Sequence, residues 1–189
     1  DAKAVLRPFA AWPLGELQAS TQSLDLSAFA AGVPATSLSG RATVTSSGRD
    51  RPALVGVDLR NARSGRWNEG LLPVEGLRAE LRARPDDPGT IEVQTFSAEL
   101  GAGRLAGGRI AGSGRWTADR WQLELALDKL RPSALDARAP ETMLDGKLDA
   151  VGTGFAGAGF EAARVELRAD LAGQLADRRL PRNAPQTAR

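Results

Sequence analysis

The chain has 189 residues without cysteine or histidine, and its 25 lysines and arginines nearly balance its 23 aspartates and glutamates. These absences exclude disulfides, thiolate metal sites and cysteine nucleophiles, and they remove the commonest general base and metal ligand. A net charge of +2 without a basic patch argues against nucleic acid as a partner. We therefore expect no enzyme, no metal site and no cofactor.

The chain repeats itself. Residues 24–48 return as residues 130–154 at an offset of 106, which places Pro34 on Pro140 and Gly40 on Gly146. After a two-residue insertion, residues 57–60 match residues 165–168. Repeat units of this kind bury their apolar faces by stacking on a neighbour, which predicts an extended array. We divide the chain into the end of one repeat (1–23), a full repeat (24–129), the start of the next (130–181) and a frayed tail (182–189).

Most of the sequence alternates between apolar and polar residues, the period of a β-strand with one buried and one solvated face. From the first full repeat onward, this alternation predicts strand after strand and little helix. The apolar positions that we expect to line one common face are Val55, Val57, Leu59, Leu77, Leu81, Ile91, Val93, Leu105, Ile110, Leu123, Leu125, Leu127, Leu144, Leu148, Val165 and Leu167.

Turns and short helices separate the strands. Residues 25–29 and 132–136, at equivalent repeat positions, predict one or two helical turns each. Residues 85–89 are rich in proline, aspartate and glycine and predict a turn, and residues 117–120 predict a hairpin connection. Between Leu105 and Ile110 the alternation changes phase, so we expect a bulge or a tight hairpin at Gly107–Gly108.

These patterns define an all-β chain but leave its architecture open. With 5% aromatic residues and no strong amphipathic helix, the chain offers little material for a second layer. Curling the sheet on itself would leave the apolar side as an open trough. A closed β-sandwich would show the same alternation, and composition alone favours it.

Three stretches resemble the TamB family, a group of AsmA-like proteins. They are LGEL at 14–17 with LDLSAF at 24–29 and PATSLSGR at 34–41, GRWNEGLLPVEGL at 65–77, and GSGRW at 112–116 with WQLEL at 121–125. The resemblance covers residues 6–181. It implies a β-taco, which is a sheet curled into a long groove with an apolar inside and a polar outside. Together with the repeat, the resemblance favours the groove over the sandwich.

TamB proteins are the inner-membrane-anchored, periplasm-spanning subunits of the translocation and assembly module of Gram-negative bacteria. The resemblance implies a periplasmic segment that takes part in phospholipid transport between the two membranes and in outer-membrane biogenesis. It also implies a part in assembly and secretion of autotransporters with an Omp85-type partner. Features of the family's partner-docking region are missing, so we expect other regions of the parent to contact that partner. The apolar face would then shield phospholipid acyl chains, at about 0.8 kcal/mol per CH₂ group.

Two other functions are open to the same sequence. A chaperone-like module could hold unfolded outer-membrane polypeptide at a sheet edge by β-augmentation. An adhesin or carbohydrate-binding domain could stack sugars on tryptophans, although we favour packing as their role. The four tryptophans are Trp12, Trp67, Trp116 and Trp121.

Two further motifs could indicate nucleotide binding or glycoside hydrolysis, but we favour a structural role for their residues. Residues 152–157 spell G-x-G-x-x-G, but the following residues alternate and do not predict the helix that a dinucleotide site needs. Acid pairs for glycoside hydrolysis could be drawn from Asp119, Glu124, Asp136 and Glu141. A general acid needs a raised pKa in an apolar pocket, whereas we expect these residues in turns or on solvated faces.

Overall fold

The computed structural model describes residues 1–6, 14–30, 32–48, 51–84, 86–153 and 164–175. In these ranges ten strands form one antiparallel sheet, and each strand pairs with its neighbours in sequence, from β1 to β10. The strands are β1 (Ala2–Leu6), β2 (Leu14–Leu24), β3 (Leu38–Thr45), β4 (Ala53–Asn61), β5 (Val74–Arg84), β6 (Asp87–Ala102), β7 (Leu105–Trp116), β8 (Arg120–Leu130), β9 (Thr142–Thr153) and β10 (Arg164–Leu175). About 70% of the described residues are in strands and the sheet is not closed, which confirms the expected all-β open groove.

Helical structure in the described residues is confined to three short segments. The two predicted helices are confirmed as a 3₁₀ turn at Leu26–Ala28 and a four-residue helix α1 at Pro132–Leu135. The sequence did not predict a second 3₁₀ turn at Trp67–Glu69. No helix in the described ranges is long and apolar enough to cross a membrane.

The predicted connections are present, with one change. Residues 117–119 join β7 to β8 as expected. Of the turn predicted over residues 85–89, Asp86 lies in a turn, β6 already begins at Asp87, and residue 85 lies outside the described residues. The predicted bulge is confirmed, since Leu100 pairs with Gly108 while the next residue, Gly101, pairs with Ala106. Gly107 is therefore the extra residue that changes the phase of β7.

The strand register aligns apolar residues into rows that run across the sheet. Because side chains alternate between faces, residues paired directly across strands project on the same side. One row, taken from β2 to β10, consists of Leu17, Val44, Val55, Leu81, Val93, Gly114, Leu123, Ala150 and Leu167. The sheet therefore has one apolar face and one polar face along its whole width.

The same strand corner occurs twice, at the offset seen in the sequence. Ser23 and Lys129 have positive φ angles of 54° and 50°, which are uncommon for residues with a side chain. The backbone N–H of Ser23 donates to Ser39 Oγ at 3.0 Å, and that of Lys129 donates to Asp145 Oδ1 at 2.8 Å. Both corners therefore bend the chain with the same backbone geometry and an equivalent side-chain acceptor.

The register in which the sequence alignment matched residues 57–60 with residues 165–168 is wrong. Gly40 pairs with Leu59, and its equivalent Gly146 pairs with Leu171. The strand pairing therefore places Leu171 where the sequence alignment placed Leu167. The two alignments differ by four residues, an even number, so both keep the same side chains on the same face. Alternation alone cannot distinguish them.

Among the residues that the structure describes, only a few apolar side chains are buried. They are Ala98, Leu100, Trp121, Ala134 and Ala150, and among the described residues no large side chain is fully buried. In a closed β-sandwich the inner faces of two sheets cover each other and bury such side chains. A single sheet with an incompletely covered apolar face excludes that architecture for the described part of the chain.

Candidate functional site

All sixteen predicted positions lie on the apolar face according to the strand register. Leu105 belongs to this set only because the bulge at Gly107 changes the phase of β7. Twelve of the sixteen are half-buried, and four are exposed: Ile91 (37%), Leu105 (49%), Val165 (55%) and Leu167 (62%). The structure thus brings the predicted residues together on one surface that remains accessible to solvent.

The sequence analysis missed several members of this face. Phe96 pairs with Ala79 on the apolar side, but it lies three residues after Val93 because the β5–β6 and β6–β7 registers shift there. A search for strict alternation therefore passes over Phe96. Leu38 could have been found, since the repeat offset matches it to Leu144, which was predicted.

A loop rim covers the apolar face at one end of the strands. We define this loop rim as the connections 25–37 (without residue 31), 62–73, 103–104 and 131–141. Its segments bond to one another: Ala35 N–H donates to Gly70 O at 2.9 Å, and Gly103 N–H donates to Ser64 Oγ at 3.3 Å. Along β6, exposure falls from 37% at Ile91 to 7% at Leu100, next to the loop rim. The loop rim therefore forms one wall of the groove.

One hydrogen bond in the loop rim joins distant strands. Ala137 N–H donates to Asn68 Oδ1 at 2.9 Å and links the β8–β9 connection to the β4–β5 connection. Four strand spacings of about 4.8 Å would hold these connections roughly 19 Å apart in a flat sheet. Residues of α1 also contact β6, β7 and β9. The two connections thus meet over the ends of the strands between them.

Two carboxylates of the loop rim have lowered pKa values. Hydrogen bonds from the Arg138 side chain and backbone lower the pKa of Asp136 from its ordinary 3.8 to about 2. The pKa of Asp25 is also lowered, because its carboxylate accepts hydrogen bonds from the backbone N–H of Thr36 and from the hydroxyl and backbone N–H of Ser27. Both carboxylates are held ionised, the opposite of what a catalytic proton donor requires.

Two stacked tryptophans cover the opposite end of the strands. The rings of Trp116 and Trp121 lie 6.1 Å apart between centroids at 19°. Trp121 is 7% exposed and lies over Gly152, where a Cβ atom would overlap its ring. A ring buried in this way cannot offer its face to a sugar. Gly152 and Thr153 lie in β9 rather than before a helix, which argues against a dinucleotide site; residues 154–157 of that motif lie outside the described residues.

Between these two ends lies a surface that we call the apolar trough, formed by the three middle rows of the apolar face. No position in these rows carries a charge from β2 to β10. Besides the row through Leu123, they contain Ala19, Ala42, Val57, Ala79, Phe96, Gly112, Leu125, Leu148 and Ala169, and Thr21, Gly40, Leu59, Leu77, Ala98, Ile110, Leu127, Gly146 and Leu171. The apolar trough is therefore smooth and lacks polar anchors.

The other face is organised by charge. Arg78 Nε lies 3.2 Å from Asp58 Oδ2, and Arg109 Nε lies 3.6 Å from Glu99 Oε1, each pair joining neighbouring strands. A shallow hollow of about 670 Å³ on this face is lined by such side chains, between Arg41 and Arg109. The side chains of both ion pairs are more than half exposed, so this hollow is a solvated surface. The apolar trough is the better candidate site.

Comparisons of the chain with protein-family models, with curated proteins and with solved structures found no match. Two of the segments on which the TamB resemblance rests, 24–29 and 65–77, lie largely in the loop rim, and a third, 121–125, begins at the buried tryptophan. The family assignment remains a proposal.

Proposed function

We propose that this chain is a groove segment of a TamB-like protein and that its apolar trough shields phospholipid acyl chains from water. The observation that carries the proposal is the row pattern: three adjacent rows without a charged residue extend from β2 to β10 and stay partly exposed. Exposed apolar surfaces that extend this far mark binding sites for other molecules.

The dimensions of the apolar trough support an elongated apolar ligand. The rows of the apolar trough cross nine strands, β2 to β10, which at about 4.8 Å between neighbours gives a length of roughly 38 Å. One leaflet of a bilayer has a hydrocarbon thickness of about 15 Å, so acyl chains of ordinary length can lie along the trough. Each CH₂ group removed from water contributes about 0.8 kcal/mol, while the head group can stay in solvent on the open side.

The absence of polar anchors supports transit rather than selective binding. Selective pockets place a few polar groups where they fix the orientation of a ligand. The middle rows offer leucine, isoleucine, valine, phenylalanine, alanine and glycine, with Thr21 as their one hydroxyl among the described residues. A ligand held only by apolar contact can slide along the rows without breaking hydrogen bonds.

The parent protein of such a segment would span the periplasm from an inner-membrane anchor. Lipid transport to the outer membrane would use the apolar trough. An Omp85-type outer-membrane partner would contact other regions of the parent. These assignments rest on the sequence resemblance.

Photo-crosslinking in cells tests the proposal. A photoreactive amino acid replaces Leu125, in the middle of the apolar trough, or Glu124, its neighbour on the charged face. We expect phospholipid to be captured at position 125 and not at position 124. Capture of polypeptide at position 125 would support the chaperone-like function instead. If nothing is captured at either position, both the lipid-shielding and the chaperone-like functions are contradicted.

A further inference from the structure

Strand β6 carries an extra residue near its middle. On the side of β5, Thr95 pairs with the residue that directly precedes the partner of Val93, so Gln94 is left over. On the side of β7, the step from Val93 to Phe96 is matched by a step that is one residue shorter. Both neighbouring strands therefore face one residue too many at the same place. We call residues 94–95 the β6 bulge.

The position of the β6 bulge separates it from the other register shifts. In the described sheet, every other shift lies close to an end of the strand that carries the extra residue. The β6 bulge lies near the middle of a strand of 16 residues that is paired on both sides. Bulges are common at sheet edges, at barrel rims and beside functional sites, where they turn a side chain in a new direction. The first two explanations do not apply here, which leaves the third.

The β6 bulge turns Phe96 into the apolar trough. Because neighbouring positions of a strand alternate between faces, a β6 without the extra residue would place Thr95 on the apolar face and Phe96 on the charged face. With it, Val93, Phe96 and Ala98 all lie on the apolar face. Among the described residues of the three middle rows, Phe96 is the one aromatic side chain. The interrupted strand pairing thus serves to present one ring to the trough.

The immediate neighbours of Phe96 are small. It pairs with Ala79 on β5 and with Gly112 on β7, and Ala98 is the next residue of β6 on the same face. None of these three has a side chain larger than a methyl group, so the ring extends beyond them. Phe96 is half-buried, so part of its ring remains open to solvent. An acyl chain that lies along the middle row must pass against this ring.

We propose that Phe96 is the main contact of the apolar trough with its ligand, the place where a bound acyl chain pauses as it slides. This inference rests on the proposed function and adds a ligand-contacting residue to it. Aromatic side chains bury large areas and dominate the energetics of many interfaces. A ring forms no directional hydrogen bond with a hydrocarbon chain. The contact therefore slows the chain without fixing its head group, as transit requires.

Binding of a fatty acid to the purified chain tests this inference. The probe is cis-parinaric acid, a linear polyene whose fluorescence rises when it leaves water. We expect Phe96→Ala to raise the Kd about tenfold, because one large apolar contact is lost. Phe96→Trp keeps an aromatic ring and should bind at least as tightly as the native chain. Leu148→Ala is the matched control, since it shortens a half-buried side chain of the same row on β9. It should raise the Kd no more than about threefold.

The rate of release distinguishes a pause from an effect on entry. We expect Phe96→Ala to release the probe about tenfold faster in a stopped-flow displacement experiment, with little change in the rate of binding. Phe96→Leu nearly conserves the apolar volume, so it should keep the strand content seen by circular dichroism. It lacks the ring, and its Kd should rise about threefold. This variant replaces Phe96→Ala as the test if the alanine variant loses strand content.

The outcomes separate this inference from the proposed function. If the native chain does not bind the probe, both fail. If it binds and Phe96→Ala changes the Kd no more than Leu148→Ala does, Phe96 is an ordinary member of its row. The inference then fails while the proposed function stands. An unchanged Kd and an unchanged release rate in a folded Phe96→Leu would also contradict the inference.

Discussion

At the scale of single residues, close packing at Gly152 shows how small residues shape the apolar face. The Trp121 ring occupies the space that a side chain at position 152 would need. We expect Gly152→Ala to destabilise the chain by about 1 to 3 kcal/mol, because the ring must move or the strand must shift. The free energy of unfolding, measured with urea, checks this expectation.

Gly76 offers a matched control for this substitution. It also lies within a strand, β5, and the nearest atom to an added Cβ would be Leu59 O at 3.7 Å, an ordinary contact. Gly76→Ala should leave stability unchanged or raise it slightly, because alanine loses less backbone entropy on folding. Equal losses in both variants would show that overlap with Trp121 is not the cause.

At the scale of elements, the loop rim depends on contacts between connections that are far apart in sequence. Asn68→Ala removes the acceptor for Ala137 N–H, so we expect faster hydrogen exchange at this amide. Stability should fall by about 0.5 to 1.5 kcal/mol, the usual net value of one such bond. Amide exchange followed by NMR measures the first effect, and urea unfolding the second.

Asn68→Asp serves as the control, since an aspartate retains an oxygen at the same position. It should restore slow exchange at Ala137. Unchanged exchange in Asn68→Ala would contradict the role of this bond in the loop rim.

The predictability of these elements from sequence depended on how local their signals were. Alternation identified the strands around Leu125, and glycine at position 107 marked the bulge, because both signals act within a few residues. The pairing of Leu171 with Gly146 could not be predicted, since it depends on the length of the β9–β10 connection. The bond between Asn68 and Ala137 depends on how the whole sheet brings two connections together.

At the scale of the whole molecule, each strand contacts its sequence neighbours and α1 adds contacts at one end. The stability of such a fold is close to the sum of the interactions between neighbouring strands. Local unfolding should therefore begin at the two edge strands, which have one neighbour each. We expect amides of the two edge strands, β1 and β10, to exchange fastest and those of β5–β7 slowest. Mass spectrometry of exchanged peptides measures this gradient, and a uniform rate over all strands would contradict it.

The single layer of this sheet has a consequence for how the protein scales with length. In a globular domain the interior grows faster than the surface, so larger domains bury a greater fraction of their chain. Adding strands to one open layer leaves the ratio of surface to volume constant. A longer version would therefore gain reach without gaining stability per residue, and its solubility would depend on how much of its apolar side is occupied at any moment.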